Sequence, residues 1–188
     1  QMWLSSQGGF DIRNMTATVL KIPASDIRVH QLEIGGGFGG KTTIYLEPVA
    51  MLLSRKSGRP VRLAMSRQEV FTASGPAPGG EYEVRLGASE DGTLLGAEVE
   101  FWYNAGAFPG SSTHSGMMSA LGMYRVGNAR VVGWDVVTNM ANTAAYRAPG
   151  APGVVFAVES AMDELAQQLG MDAIELRLMN AVKPGDKA

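Results

Sequence analysis

The chain has no cysteine, only two histidines and no long apolar run, and each shortage removes a class of chemistry. Without thiols, this chain by itself holds no disulfide, no thiolate metal site and no iron–sulfur cluster. His30 and His114 have no second ligand at metal spacing, so packing and solvation are the simpler accounts of both. No stretch reaches the roughly 18 apolar residues of a membrane helix and no signal-peptide pattern opens the sequence, so no membrane partner is expected. A cytoplasmic protein is expected, with the periplasm left open. Neither sign of charge dominates: 16 Lys and Arg against 18 Asp and Glu leave a formal net charge of −2. Composition therefore points to no nucleic-acid partner. There is no Ser-His-Asp or Cys-His constellation, and Glu81, Glu83, Glu98 and Glu100 read as solvated charges on a hairpin.

Glycine is what the chain has in excess: 24 of 188 residues, roughly twice ordinary usage, gathered in turns rather than in a repeat. Two of these turns stand out, Gly35-Gly36-Gly37-Phe38-Gly39-Gly40-Lys41 and Ala145-Tyr146-Arg147-Ala148-Pro149-Gly150-Ala151-Pro152-Gly153. Each leads from a strand-like run into a helix-like run. Glycine allows positive φ and lets backbone amides approach a ligand closely. Amides gathered at a helix start suit phosphate or another electron-rich group. Two such turns in one chain imply a single large polar ligand held by both. Gln7 follows a strand and precedes two glycines, which aims its amide at whatever the turns surround. Arg147, a guanidinium in an otherwise apolar turn, suits an anionic or oxygen-rich ligand.

Periodicity sets out the remaining elements. A strand at Met2-Trp3-Leu4 is followed by a helix from about Phe10 to Lys21, with Ile12, Met15 and Val19 on one face. A strand is expected over Ile27 to Ile34, a helix over Thr43 to Ser57 stopped by Gly58, and a strand over Pro60 to Met65. Ser66-Arg67-Gln68-Glu69 matches a capping box, and Gly75 to Gly80 reads as a mobile loop. The clearest hairpin sets Tyr82, Val84 and Leu86 against Ala97, Val99, Phe101 and Tyr103, with its turn near Asp91-Gly92. Phe108 to Met123 is loop with one helix, and Ala129 to Val137 is a strand. Val158, Met162, Leu165 and Leu169 mark a helix ended by Gly170, and Asp172-Ala173-Ile174-Glu175 opens a last helix to about Asn180. The fold class is α+β, a mixed sheet with a long antiparallel hairpin and packed helices. The chain, starting at Gln1 directly inside a strand, reads as a piece of something longer, with residues 1–188 forming part of one domain.

By pattern alone, Gly35 to Gly40 satisfies G-x-G-x-x-G and Gly35 to Thr42 satisfies the P-loop. On that reading Lys41 meets phosphate, Thr42 meets magnesium, and Val131 to Asp135 stands in for a Walker B strand. Against it, long antiparallel strands fill the middle of the chain and Phe38 puts a ring at the tip of the loop. No acidic residue lies about 20 positions on to meet a ribose. A P-loop-type nucleotide-binding module stays as the alternative. A folded scaffold without a ligand is a third reading.

Three segments in order, Gly35-Gly36-Gly37-Phe38-Gly39-Gly40-Lys41, Ala145-Tyr146-Arg147-Ala148-Pro149-Gly150 and Phe156 to Leu165, together with the ending Asp172 to Asn180, resemble the molybdenum hydroxylases, the xanthine dehydrogenase and aldehyde oxidase family. The resemblance covers nearly the whole chain and corresponds to the first molybdopterin-binding domain of the large subunit. It implies a molybdopterin with molybdenum, in the cytosine dinucleotide form of bacterial members, that oxidises an aldehyde or heterocycle with water as the oxygen source. It implies iron–sulfur clusters and FAD on other domains or subunits. The partners implied are the remaining large-subunit domains, an iron–sulfur subunit and an FAD subunit. The isolated piece is expected to be inactive, because the family's general-base glutamate belongs to the second cofactor domain, so no catalytic residue is assigned here. The resemblance assigns Gln7, Gly37, Phe38, Gly39, Tyr146 and Arg147 to the cofactor, with the backbone amides of Gly39 and Arg147 as donors and no direct metal ligand. Thr42 and Pro149 fall at substrate-pocket positions where purine-oxidising members carry glutamate and phenylalanine. Both differences turn the expectation away from xanthine.

Overall fold

Helix α1 (Gly9–Leu20) carries the chain from strand β1 (Met2–Leu4) to strand β2 (Val29–Gln31), and the strands pair in parallel, Met2 opposite Val29 and Leu4 opposite Gln31. This is a computed structural model describing residues 1–186, and it falls into two compact units. The first comprises Gln1–Pro76 and Ala144–Arg147; the second comprises Ala77–Thr143 and residues 148–186.

The first unit is built on Met2, Ile12, Ala17 and Ile27, with Leu4, Met15 and Ile44 packed against them. Helix α1 buries Ile12, Thr16 and Ala17, while Val19, expected on the same face, is 58% exposed. The helix ends at Lys21, which takes a left-handed cap with its N–H bonding back to the Ala17 and Thr18 carbonyls. Strand β2 is three residues long where eight were expected, since β1 offers only three partners before the chain turns away at Ser5. Helix α2 spans Glu47–Ser57 rather than starting at Thr43. Pro48 is tolerated only in the first turn, and the Glu47 carboxylate accepts the Tyr45 N–H at 2.7 Å. Gly58 ends the helix in a left-handed cap as expected. Residues 60–65 form no strand; their extended run finds no ladder. Helix α3 (Arg67–Ala73) carries the full capping box between Ser66 and Glu69.

In the second unit, β3 (Gly80–Ala88) pairs antiparallel with β4 (Leu94–Gly106), which pairs in parallel with β5 (Asn128–Val137). The alternation expected of the hairpin holds: Val99, Phe101 and Tyr103 are buried to 1% exposure or less. They face Val154, Val158 and Met162 of helix α5 (Ala151–Leu169), spaced four apart on one stripe. Burying each such side chain contributes roughly 1.5–3 kcal/mol. Helix α4 (Thr113–Ser119) lies in the stretch read as loop with one helix. Helix α6 (Ala173–Asn180) opens on Asp172, whose carboxylate accepts the N–H groups of Ile174 and Glu175. At its end, buried Asn180 accepts from the Leu94 N–H at 2.9 Å and donates to the Gly92 carbonyl at 2.8 Å, tying the helix to the hairpin turn. The molecule is α+β, as expected.

Candidate functional site

The first glycine turn follows Ile34, three residues past the end of β2, and takes left-handed backbone at Gly35, Gly36, Phe38 and Gly39. Phe38 is the costly one, a non-glycine residue at φ +53 that is 59% exposed. Strain of this kind, held by its surroundings, is characteristic of ligand-binding turns.

Gln7 is what holds the turn. Its Oε1 accepts the N–H of Gly39 at 3.0 Å and of Lys41 at 3.1 Å, while its own N–H donates to the Lys41 carbonyl at 2.9 Å. A Cβ on Gly37 would stand 2.5 Å from that same Oε1, so a side chain there would push the Gln7 amide out of this position. Within the turn, Gly40 N donates to Gly37 O at 2.8 Å, and the Thr42 hydroxyl donates to Gly39 O at 2.7 Å. The Lys41 ammonium donates to the Ile34 carbonyl at the turn's entrance.

The second turn is divided. Ala145, Tyr146 and Arg147 fold with the first unit, whereas Ala148 to Gly153 belong to the second. Arg147 N donates to Phe38 O at 2.7 Å, so the two turns touch through their main chains. Gly39 lies so close to Ala145 that a Cβ would come within 2.6 Å of its carbonyl oxygen, and Gly39 sits at φ +103 besides. Across about a hundred residues of sequence, the fold brings Gln7, Gly37, Phe38, Gly39, Tyr146 and Arg147 into one wall. Tyr146 is 57% exposed and the Arg147 side chain is also exposed.

The two amides expected as donors both have partners within the protein. The Gly39 amide is spent on Gln7 and the Arg147 amide on Phe38. Among the described residues, the N–H groups of Gly37, Phe38 and Tyr146 have no acceptor. Spacing could locate the turns but not which of their amides would be consumed in joining them.

Thr42 is exposed, with its hydroxyl turned back onto its own loop. Pro149 is exposed in the second unit, between Ala148 at φ +54 and Gly150, the N-cap of α5. The P-loop arrangement is not formed. Helix α2 begins at Glu47, six residues past Lys41, and both Lys41 and Thr42 direct their polar ends to carbonyls of their own loop. Among the described residues no group of three or more His, Cys, Asp or Glu is placed to hold a metal. Sequence reasoning missed the Tyr45 hydroxyl, which is buried without a hydrogen-bond partner and whose pKa burial pushes up.

Residues 1–181 match the family described as molybdopterin cofactor-binding domain. The putative xanthine dehydrogenase molybdenum-binding subunit XdhA of Escherichia coli K12 is 35% identical over 182 residues, covering 93% of this chain and 24% of its own length. The aldehyde oxidoreductase of Megalodesulfovibrio gigas is 36% identical over 159 residues, 81% of this chain and 17% of its own. Among solved structures, quinoline 2-oxidoreductase from Pseudomonas putida 86 superposes with a TM-score of 0.91 at 34% identity, over 98% of this chain and 24% of its own. The chain thus spans about a quarter of the length of XdhA and of the quinoline enzyme.

Proposed function

We propose, since this chain belongs to the molybdopterin cofactor-binding domain family of the molybdenum hydroxylases, that Gln7, Gly37, Phe38, Gly39, Tyr146 and Arg147 seat the pyranopterin and metal end of that cofactor. The observation that carries the reading is the hydrogen bond of 2.7 Å from Arg147 N to Phe38 O, which makes one wall of two turns. The residues suit the group. The unpaired N–H groups of Gly37, Phe38 and Tyr146 are donors for electron-rich atoms, and fixed main-chain donors need no reorganisation when a ligand arrives. With Oε1 committed to two amides, Gln7 keeps its Nε2 as an oriented donor.

The cofactor would supply two-electron redox chemistry at molybdenum, with water as the source of oxygen. This chain's part is to hold and orient. Phe38 and Tyr146 bring exposed rings that shed water where they are covered, and Gly39 keeps the wall free of side-chain bulk. The base that moves the proton lies outside this chain.

The reading extends to an aldehyde or a non-purine heterocycle as substrate. Thr42 offers no carboxylate to a purine, and Pro149 offers no ring to stack on it. Relatives named for quinoline and for aldehydes support that class rather than one compound. We assign the cytosine dinucleotide form of the cofactor, and iron–sulfur and FAD partners beyond the remaining large-subunit domains, on the same footing.

Gly39→Val in the intact enzyme tests the site. A branched side chain at φ +103, against Ala145 O, parts the turns where the cofactor belongs. Molybdenum per protein is expected to fall roughly tenfold or more while circular dichroism stays unchanged, since the position lies in a turn. Full molybdenum content with normal turnover would remove the turn from the site.

A further inference from the structure

We infer that Lys41 is a positioning residue that holds the first glycine turn closed by bonding its ammonium to the Ile34 carbonyl, not a ligand for an anion. This rests on the reading of that turn as part of the cofactor seat. Ile34 is the last residue before the turn and Lys41 the last residue of it, so a single side chain bridges entrance and exit. Between them lie four residues at positive φ, Gly35, Gly36, Phe38 and Gly39. A stretch this rich in glycine loses more conformational entropy on ordering than any other, and needs ties from outside its own backbone to stay in one form.

Lys41 is tied at both ends. Its N–H donates to Gln7 Oε1 at 3.1 Å, its carbonyl accepts Gln7 N at 2.9 Å, and its ammonium reaches back seven residues to Ile34. The side chain is half-buried along this path. A charged donor on a carbonyl is stronger than a neutral one. Thr42 completes the arrangement through its hydroxyl on Gly39 O. The strap therefore acts on the cofactor wall through the placement of Phe38 and Gly39.

The test uses the intact enzyme with Lys41→Met, which keeps the length and apolar stem but removes the donor, and Lys41→Arg, which keeps a charged donor. Hydrogen exchange across residues 35–41 is expected to speed up roughly tenfold or more in Lys41→Met, with exchange elsewhere unchanged, and to be largely restored in Lys41→Arg. Molybdenum content should fall in Lys41→Met and recover in Lys41→Arg. Unchanged exchange in the turn overturns the strap whatever the molybdenum content. So does faster exchange throughout the protein, or equal loss in both variants. Faster exchange confined to the turn at full molybdenum content would uphold the strap and count instead against the turn as a cofactor seat.

Discussion

Gln7 shows how much a single side chain can organise. It is exposed and contributes little packing, yet its Oε1 gathers two amides from a turn thirty-two and thirty-four residues away. A carboxylate at this position accepts the same two N–H groups but has no donor to offer. In the intact enzyme, Gln7→Ala is expected to keep its fold and to lose both molybdenum content and turnover. Gln7→Glu is expected to keep molybdenum near the native level while turnover falls by roughly a hundredfold, because the turn is still braced and only the Nε2 donor is gone. Molybdenum content and turnover that both match the native enzyme in both variants would show that Gln7 has no part in the site. Gln7 was legible in the sequence because it stands between a strand and two glycines; its brace was not, since its partners are set by the fold.

At the scale of elements, the sequence read best where one pattern was enough. The capping box at Ser66, the left-handed stops at Gly58 and Gly170 and the alternation of β4 all depend on neighbours within a few positions. It read worst where a partner was needed, as at β2, at residues 60–65 and in the parallel pairing of β5 with β4. The junction of α5 and α6 is likewise visible only in the structure. Arg177 meets Glu159 at 2.6 Å and Asp163 at 2.7 Å, and the Tyr124 hydroxyl donates to Glu159 at 2.6 Å. Burial, with the Glu159 carboxylate adding to it, pushes the Tyr124 pKa up to about 12. An unfolded tyrosine ionises near pH 10, so the unfolded chain binds fewer protons than the native one above that point. The stabilisation is complete below about pH 10 and is lost as pH rises towards 12. Denaturation between pH 8 and 11.5 should show stability declining less steeply in Tyr124→Phe than in the native chain. Parallel declines would mean that Tyr124 titrates no later in the folded state than in the unfolded one.

Taken whole, the protein leaves much apolar surface uncovered. Helix α2 buries only Pro48 and exposes Val49, Leu52 and Leu53 along adjoining turns, while α6 exposes Ile174 and Leu178 one turn apart. Patches of this kind on a chain by itself favour association. Sedimentation of the chain alone should therefore show concentration-dependent self-association, and a hydrophobic dye should bind it. A strictly monomeric species that binds no dye would contradict the exposure of these faces.

What the sequence determined by itself was local: where glycine must stand, where helices start and stop, which residues alternate inward, and, through the order of its turns, which family the chain resembles. All but the resemblance, which rests on matching motifs, follow from sterics and periodicity within a few residues of each position. Only the tertiary structure decided that Ala145 packs on Gly39, that Arg147 N closes on Phe38 O, and that, among the described residues, the amides of Gly39 and Arg147 are engaged within the protein while those of Gly37, Phe38 and Tyr146 have no acceptor. It likewise turned Lys41, a phosphate ligand by pattern, into a strap on Ile34. The physical reason is that a hydrogen-bond donor is spent once. Which donors remain for a ligand depends on every contact the fold makes first, including those between residues a hundred positions apart.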